Sequence, residues 1–257
     1  MADDSRQTRR AGTPSFRTQA IWSTVGELAR TREQHLGRPL RVLDLGGGTG
    51  GLAVPLAELG HQITVVDPSP DALAALERRA AESGVADRIT ARQGDADSLD
   101  EVRPSEGFDL ACCHGVLEVV DDPAATLAAV ARAVGPDGYL SLLVAGRLAA
   151  VLAKALGGEF GQARAALTSP DGRWGTGDPL PRRFDTAELE SLLDGSGFVR
   201  ERVHGVRLFS DLVPSGTLDS AADRSALVEL EEAVAAHPAY AFLGELGAEI
   251  HVLARRA

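Results

Sequence analysis

The stretch Val42-Leu43-Asp44-Leu45-Gly46-Gly47-Gly48-Thr49-Gly50-Gly51 decides the fold of this chain. An apolar run from Leu40 to Leu45 carries one acid and ends in a glycine cluster, and residues 51–60 follow with helical spacing. Glycines between a strand and a helix let a ligand approach the backbone, where the helix N-terminus offers amide donors to a carboxylate or phosphate. Gly46, Gly48 and Gly51 also satisfy a G-x-G-x-x-G pattern, which brings dinucleotide folds into consideration. An acid directly before the turn repels a pyrophosphate but accepts hydrogen bonds from an ammonium group. The turn therefore suits a ligand with an amino-acid end better than one with two phosphates.

Outward from this stretch the rhythm repeats. Gln62 to Val66 is β-branched and apolar, and Asp67-Pro68-Ser69-Pro70 breaks it, with Ser69 placed to cap a helix and Pro70 at its first position. Leu73, Leu76 and Ala80 continue one helix face. Further strands are expected at Ile89–Arg92, Phe108–Cys113 and Tyr139–Val144, with a helix over Pro123–Val134 and a turn at Gly135-Pro136-Asp137-Gly138. Strands alternating with helices predict an α/β fold, a Rossmann-like, doubly wound, mostly parallel sheet with right-handed crossovers. From Gly146 to Arg183 the rhythm breaks: an apolar helix gives way to a Gly-, Pro- and Ser-rich loop, of the length that is more often functional or mobile than inert. Asp185-Thr186-Ala187-Glu188 then has capping-box spacing, with Gly195 and Gly197 closing the helix. Phe198–Val206 reads as a strand, Ser225–Ala236 as an acidic helix and Ile250–Ala254 as a final strand.

The 257 residues, 44% of them hydrophobic, support a globular core and one domain. No uncharged apolar stretch approaches membrane-spanning length, and no apolar run follows the charged N-terminus, so a cytoplasmic protein without membrane partner is expected. Cys112 and Cys113 are adjacent and read as reduced, structural thiols; no metal site is expected. The net charge of −11 argues at first sight against a nucleic-acid partner. Residues 42–145 alone carry −11, however, while residues 1–41 carry +4 and residues 146–215 balance. Residues 1–13 read as a flexible, arginine-rich tail and 14–257 as a single domain, with a cofactor core at 40–145, a lid or substrate insertion at 146–184 and C-terminal helices and strands at 185–257.

Asp67 ends the second strand, where a carboxylate can accept hydrogen bonds from ribose hydroxyls. Gln93-Gly94-Asp95-Ala96-Asp97-Ser98-Leu99 places an acid where an adenine edge could lie. Phe108 to Pro123 makes a fourth strand with polar groups, His114 and Glu118, at its carboxyl end. As an ordered set, these segments resemble the class I S-adenosylmethionine-dependent methyltransferases. The resemblance implies a seven-stranded sheet with an antiparallel final strand. It also implies that Asp44, Gly46, Gly47, Gly48, Thr49 and Gly50 line the methionine end of S-adenosyl-L-methionine. Asp67 and Pro68 would then meet the ribose, Gly94, Asp95 and Ala96 the adenine, and His114 and Gly115 the sulfonium.

Outside this core, Phe16-Arg17-Thr18-Gln19-Ala20-Ile21-Trp22, Leu167-Thr168-Ser169-Pro170, Gly205-Val206-Arg207-Leu208-Phe209-Ser210-Asp211, Leu227 to Glu231 and Pro238 through Arg255 occur in an order similar to the bacterial tRNA 5-carboxymethoxyuridine methyltransferases. Members of that family methylate the side-chain carboxylate of a modified wobble uridine, and by this resemblance Arg17 reaches the cofactor carboxylate. The chain departs from the family at Leu143-Val144-Ala145-Gly146-Arg147, where an aromatic and an asparagine are expected. It also lacks a lysine-rich stretch before Ser169-Pro170, and Lys154 is its only lysine.

A carboxylate acceptor, with a pKa of ~4, is ionised at neutral pH and needs no general base. It needs orientation, for which Arg207, Arg147 and Arg182 are the candidate catalytic guanidinium groups. A hydroxyl or amine acceptor would benefit from a base, and His114 is the candidate. Three readings stay open at this stage: a tRNA carboxymethoxyuridine methyltransferase, a small-molecule O- or N-methyltransferase of secondary metabolism, and a non-catalytic cofactor-binding protein. The oligomeric state is not legible.

Overall fold

The computed structural model describes residues 19–213 and 217–257. The arginine-rich tail and Arg17 lie outside the described residues.

Seven strands form one sheet in the order β3-β2-β1-β4-β5-β7-β6. β1 (Arg41–Leu45), β2 (Gln62–Asp67), β3 (Ile89–Gln93), β4 (Phe108–His114) and β5 (Val134–Ala145) are parallel. β7 (Glu249–Arg256) inserts antiparallel between β5 and β6 (Phe198–Val206). The central strands β1 and β4 are buried on both faces, which is why they read as continuous apolar runs rather than alternating ones. β5 begins earlier than its apolar run suggests: Val134 pairs with Phe108 before the Gly135–Gly138 turn shifts the register to Leu110↔Tyr139.

Helices cover both faces. Ile21, Val25 and Ala29 of α1 (Gln19–Leu36), with α2 (Ala53–Glu58) and α3 (Pro70–Glu82), pack on Val42, Val65 and Leu110. On the other face α4 (Leu99–Val102), α5 (Pro123–Ala133) and α8 (Thr186–Ser196) cover Leu43, Ala111 and Leu142. The caps explain where these helices start: Ser69 Oγ accepts from the Ala72 amide, Asp122 Oδ1 from Ala125 and Asp185 Oδ1 from Glu188. Gly195 stays inside α8, and Gly197, with φ of 78°, ends it. The acidic helix, α9, spans Ala221–Ala236, starting four residues earlier than its apolar pattern suggests because Ser220 caps it. Both cysteines are free and buried.

The insertion after β5 contains two helices, α6 (Arg147–Leu156) and α7 (Phe160–Thr168), where the sequence suggested one. Its base is closed by main-chain bonds from Arg147 N to Phe184 O at 2.8 Å and from Phe184 N to Ala145 O at 2.9 Å. The loop that follows is tied internally rather than loose. The Asp178 carboxylate accepts from Trp174 N at 3.0 Å, Leu180 N at 3.1 Å and Arg183 Nη2 at 2.9 Å. Burial alone would raise the Asp178 pKa, but these donors hold it below the ordinary carboxylate value.

One ion pair locks the entry to β1 onto β4. Arg38 grips both oxygens of Asp109, at 2.8 and 2.9 Å, and the Arg41 amide donates to the same carboxylate at 2.7 Å. Burial opposes ionisation of Asp109, yet these donors hold its pKa low. Asp109→Ala is expected to lower the unfolding free energy at pH 7 by about 2 kcal/mol, between the values for exposed and buried pairs. Because the folded pKa is depressed, that contribution is present above the ordinary carboxylate pKa of ~4 and disappears as pH falls through the folded value. Urea denaturation at pH 7 and in acid checks both the size and the sign.

Candidate active site

The turn after β1 is built by steric exclusion. Gly46 has φ of 69°, and a Cβ there would lie 2.5 Å from Val116 Cγ2. A Cβ on Gly47 would lie 2.5 Å from Asp44 Oδ2, so a side chain at that position would fill the space in front of the carboxylate. The Gly48 amide donates to Asp67 Oδ2 at 2.8 Å and the Ser69 amide to Oδ1 at 2.9 Å. An amide of the turn is thus committed to a carboxylate, which fits the expectation that the turn does not cradle a pyrophosphate.

Asp44 is 3% exposed and its Oδ2 has no hydrogen-bond partner. Burial, with repulsion from Asp67, pushes its pKa up to about 7. A buried carboxylate without a partner is costly, and a cationic N–H donor at this place would satisfy it. The amino-acid end of S-adenosylmethionine carries such an ammonium group, so this orphaned oxygen and the space kept open by Gly47 fit that cofactor.

The same edge of the sheet carries the other sequence-derived cofactor positions. Thr49 and Pro68 are exposed there, their carbonyls accepting from Arg79 and Gln93. The Gly94 amide donates to the Asp67 carbonyl at 3.2 Å. Asp95 caps the short turn of Ala96–Ser98, its Oδ1 accepting from the Asp97 amide at 3.0 Å. The turn after β1, the end of β2 and the loop after β3 therefore form one continuous line at the carboxyl ends of adjacent strands, where ligands of open α/β sheets bind.

Gly115, after the end of β4, helps to line a cavity of about 390 Å³ whose walls also include Glu118, Ala149, Arg183, Arg207 and Glu249. The antiparallel course of β7 creates it: Glu249 is paired with both Ala145 and Val206, so the start of β7 meets the ends of β5 and β6. Arg207, held at φ of 57°, ion-pairs with Asp211 and Glu249, each at 3.5 Å. Its buried Nε faces Glu249 through that 3.5 Å ion pair and makes no hydrogen bond. Glu118 is buried and accepts from the Ala145 amide at 2.7 Å through Oε1, while Oε2 is unpartnered. Burial raises the Glu118 and Glu249 pKa values; the proximity of Glu249 adds to the first and that of Asp211 to the second. A larger cavity, of about 450 Å³, lies between α1, β6 and α9; neither cavity is lined by the turn residues, and only the 390 Å³ one includes Gly115.

Of the three candidate arginines, Arg207 alone lines the 390 Å³ cavity. Arg147 donates to the carbonyls of Ser169 and Pro170 and pairs with Asp185 and Glu188, holding the insertion. Arg182 donates to the carbonyls of Leu117 and Val120, holding the loop after β4. Sequence reasoning missed Glu249 and Asp211 as cavity acids, and Arg183, which is neutralised by Asp178. In the sequence Glu118 stands out only as part of its motif, and nothing but its apolar flank signals burial. His114, at the end of β4, contacts Ser141 Oγ through Nε2 at 2.9 Å, and burial pulls its pKa down to about 4. It is therefore neutral at pH 7.

Asp44→Asn separates stability from binding. The Asp44 pKa is raised in the folded state, so its cost is absent at low pH and grows as pH rises through about 7. The variant is expected to melt higher than the wild type at pH 8, with the advantage shrinking toward pH 5. It should also bind S-adenosylhomocysteine at least ~10-fold more weakly, the scale of a lost charge-assisted hydrogen bond. Thermal melts at the two pH values and calorimetric titration check this.

The family described as "Methyltransferase domain" matches residues 43–140. The tRNA 5-carboxymethoxyuridine methyltransferase of Escherichia coli K12 is 30% identical over 245 residues, spanning 94% of this chain and 88% of that protein. A ubiquinone biosynthesis O-methyltransferase of Azorhizobium caulinodans is 33% identical over 174 residues, covering 65% and 62% of the two chains. Among solved structures, magnesium protoporphyrin IX methyltransferase from Synechocystis PCC 6803 shares the fold, with a TM-score of 0.60 and 17% identity over 94% of this chain and 84% of that one. With the glycine turn, the orphaned Asp44 carboxylate and a relative this similar along nearly its whole length, the chain belongs to the S-adenosylmethionine-dependent methyltransferases.

Proposed function

We propose that this methyltransferase acts on a carboxylate, with the 5-carboxymethoxyuridine of tRNA as its substrate. The observation that carries the reading is Arg207: a guanidinium at the cavity wall whose two ion pairs, Nη2 to Asp211 and Nε to Glu249, are both as long as 3.5 Å. Such a fork can take a carboxylate bidentately, leaving the attacking oxygen to be aimed by the walls. The identity to the Escherichia coli tRNA enzyme over 94% of the chain supports the same acceptor.

In this reading Asp44 takes the ammonium of the cofactor, Gly46, Gly47, Gly48, Thr49 and Gly50 admit its amino-acid end, and Asp67 with Pro68 meets the ribose. Gly94, Asp95 and Ala96 lie against the adenine, and His114 and Gly115 face the methyl-transfer side. Arg17, outside the described residues, reaches the cofactor carboxylate. When bound, S-adenosylmethionine supplies an electrophilic methyl group to the acceptor oxygen. The protein's own contribution is positioning: Arg207 orients the acceptor, and Ala149, Ala150 and Ala153 of the insertion form part of the cavity wall.

A small-molecule acceptor is the second reading, favoured by Glu118, Asp211 and Glu249 in the lining and by the similarity to ubiquinone biosynthesis O-methyltransferases. Supplying methyl-labelled S-adenosylmethionine with either bulk tRNA carrying carboxymethoxyuridine or a metabolite extract separates the two. The expected result is label in tRNA, released by mild alkali as expected of a methyl ester. Label in the metabolite fraction alone supports the second reading, and label in neither contradicts both. Arg207→Lys, which keeps the charge and loses the fork, should lower kcat/KM by roughly 10- to 100-fold with cofactor binding unchanged.

A further inference from the structure

A polar row crosses the sheet on the face covered by α1. His204 of β6 pairs with His251 of β7, and His251 is opposite Leu143, which is opposite His114. Within this row the Ser141 hydroxyl lies between two imidazoles, 2.9 Å from His114 Nε2 and 2.8 Å from His251 Nε2. Ser141 and His251 are fully buried. The rings of His251 and His204 meet edge-on at 4.8 Å, and those of His251 and His114 at 5.9 Å.

One hydroxyl proton has to serve two contacts. Ser141 can donate to one ring and must accept from the other. Burial, together with the neighbouring His204, His114 and Arg202, keeps His251 uncharged, so it has a single ring proton. The Nδ1 of His251 is buried and has no hydrogen-bond partner. If Ser141 donated to His251, the proton of that ring would sit on Nδ1 as a buried donor without an acceptor. Unpaired buried N–H groups are rarer and costlier than unpaired acceptors. The arrangement that avoids one has His251 Nε2–H donating to Ser141 and Ser141 O–H donating to His114 Nε2. The single proton of neutral His114 is then on Nδ1, at the end of β4 and one residue before the cavity wall at Gly115.

We propose that Ser141 and His251 are positioning residues that hold His114 as an Nδ1–H hydrogen-bond donor at the methyl-transfer site, so that His114 does not act as a base. This rests on the reading of that edge of the sheet as the place of methyl transfer, and it deepens it: the acceptor is one that needs no proton removed by His114. A carboxylate meets that condition at neutral pH, whereas a phenol or alcohol does not. His114 donates toward an anionic oxygen and removes no proton.

The tautomer is read directly from two-bond ¹H–¹⁵N spectra of the ¹⁵N-histidine-labelled protein at pH 7, with His114 assigned by the signal missing in His114→Gln. The expected pattern is His114 in the Nδ1–H form and His251 in the Nε2–H form, each in about tenfold or greater excess. Ser141→Ala should collapse the excess at His114 toward unity, and Ser141→Thr, which keeps the hydroxyl, should retain it. A wild-type His114 in the Nε2–H form overturns the proposal, as does a pattern that Ser141→Ala leaves unchanged. The wild-type spectrum decides even if the variants fail to fold. No acceptor is present in the sample, so failure of the tRNA reading would leave this result untouched.

Discussion

Folding buries the Asp44 carboxylate and leaves one of its oxygens without a partner, and the surrounding turn is arranged around that deficit. The hydrophobic stacking of β1 between β2 and β4 forces the side chain inside, since Asp44 is registered between Val65 and Cys112. Gly47 then keeps the space before it open, and the Gly48 amide turns toward Asp67 rather than toward Asp44. A ligand-free protein holds this carboxylate at an energetic cost, reflected in a pKa near 7. Strain of this kind persists at functional sites because the rest of the fold over-determines it. A cationic donor from outside the chain would relieve it.

The acceptor side depends on a different constraint, the direction of β7. Were the last strand parallel, Glu249 would lie at the far end of the sheet from Arg207. Running antiparallel between β5 and β6, β7 instead begins where they end and carries Glu249 to the Arg207 guanidinium. The same register puts His251 beside Ser141, two residues further along the strand. The cavity and the histidine row are thus products of one topological feature, while the cofactor edge is a product of the parallel half of the sheet.

This division explains what could be read from the sequence. The strand and glycine turn around Asp44, the Asp67 terminus and the Asp95 loop are local signals: each acid sits within a few residues of the element that positions it. Ser69-Pro70 and Asp185 likewise announce the helices they cap. The acceptor side is assembled from residues far apart in the chain, such as Ser141 and His251 at a separation of 110 positions. No pattern in either segment announces that contact. Among the arginines, sequence alone does not tell which guanidinium groups are consumed by backbone carbonyls. Arg147 and Arg182 are consumed in this way, and Arg207 is not. The insertion reads as one apolar helix before its loop because nothing in the pattern marks the break that Gly157 and Gly158 make between α6 and α7.

The central claim is that Asp44 receives the ammonium group of the cofactor. With its pKa pushed up to about 7, Asp44 holds its proton to far higher pH than an ordinary carboxylate, and a cation at bonding distance would drive that proton off. Calorimetric titration with S-adenosylhomocysteine, which carries the same amino-acid end, in buffers of different ionisation enthalpy measures the linked proton directly. Release of a fraction of a proton per ligand is expected at pH 7, falling away by pH 9. Tight binding with no proton release at pH 7 would contradict it.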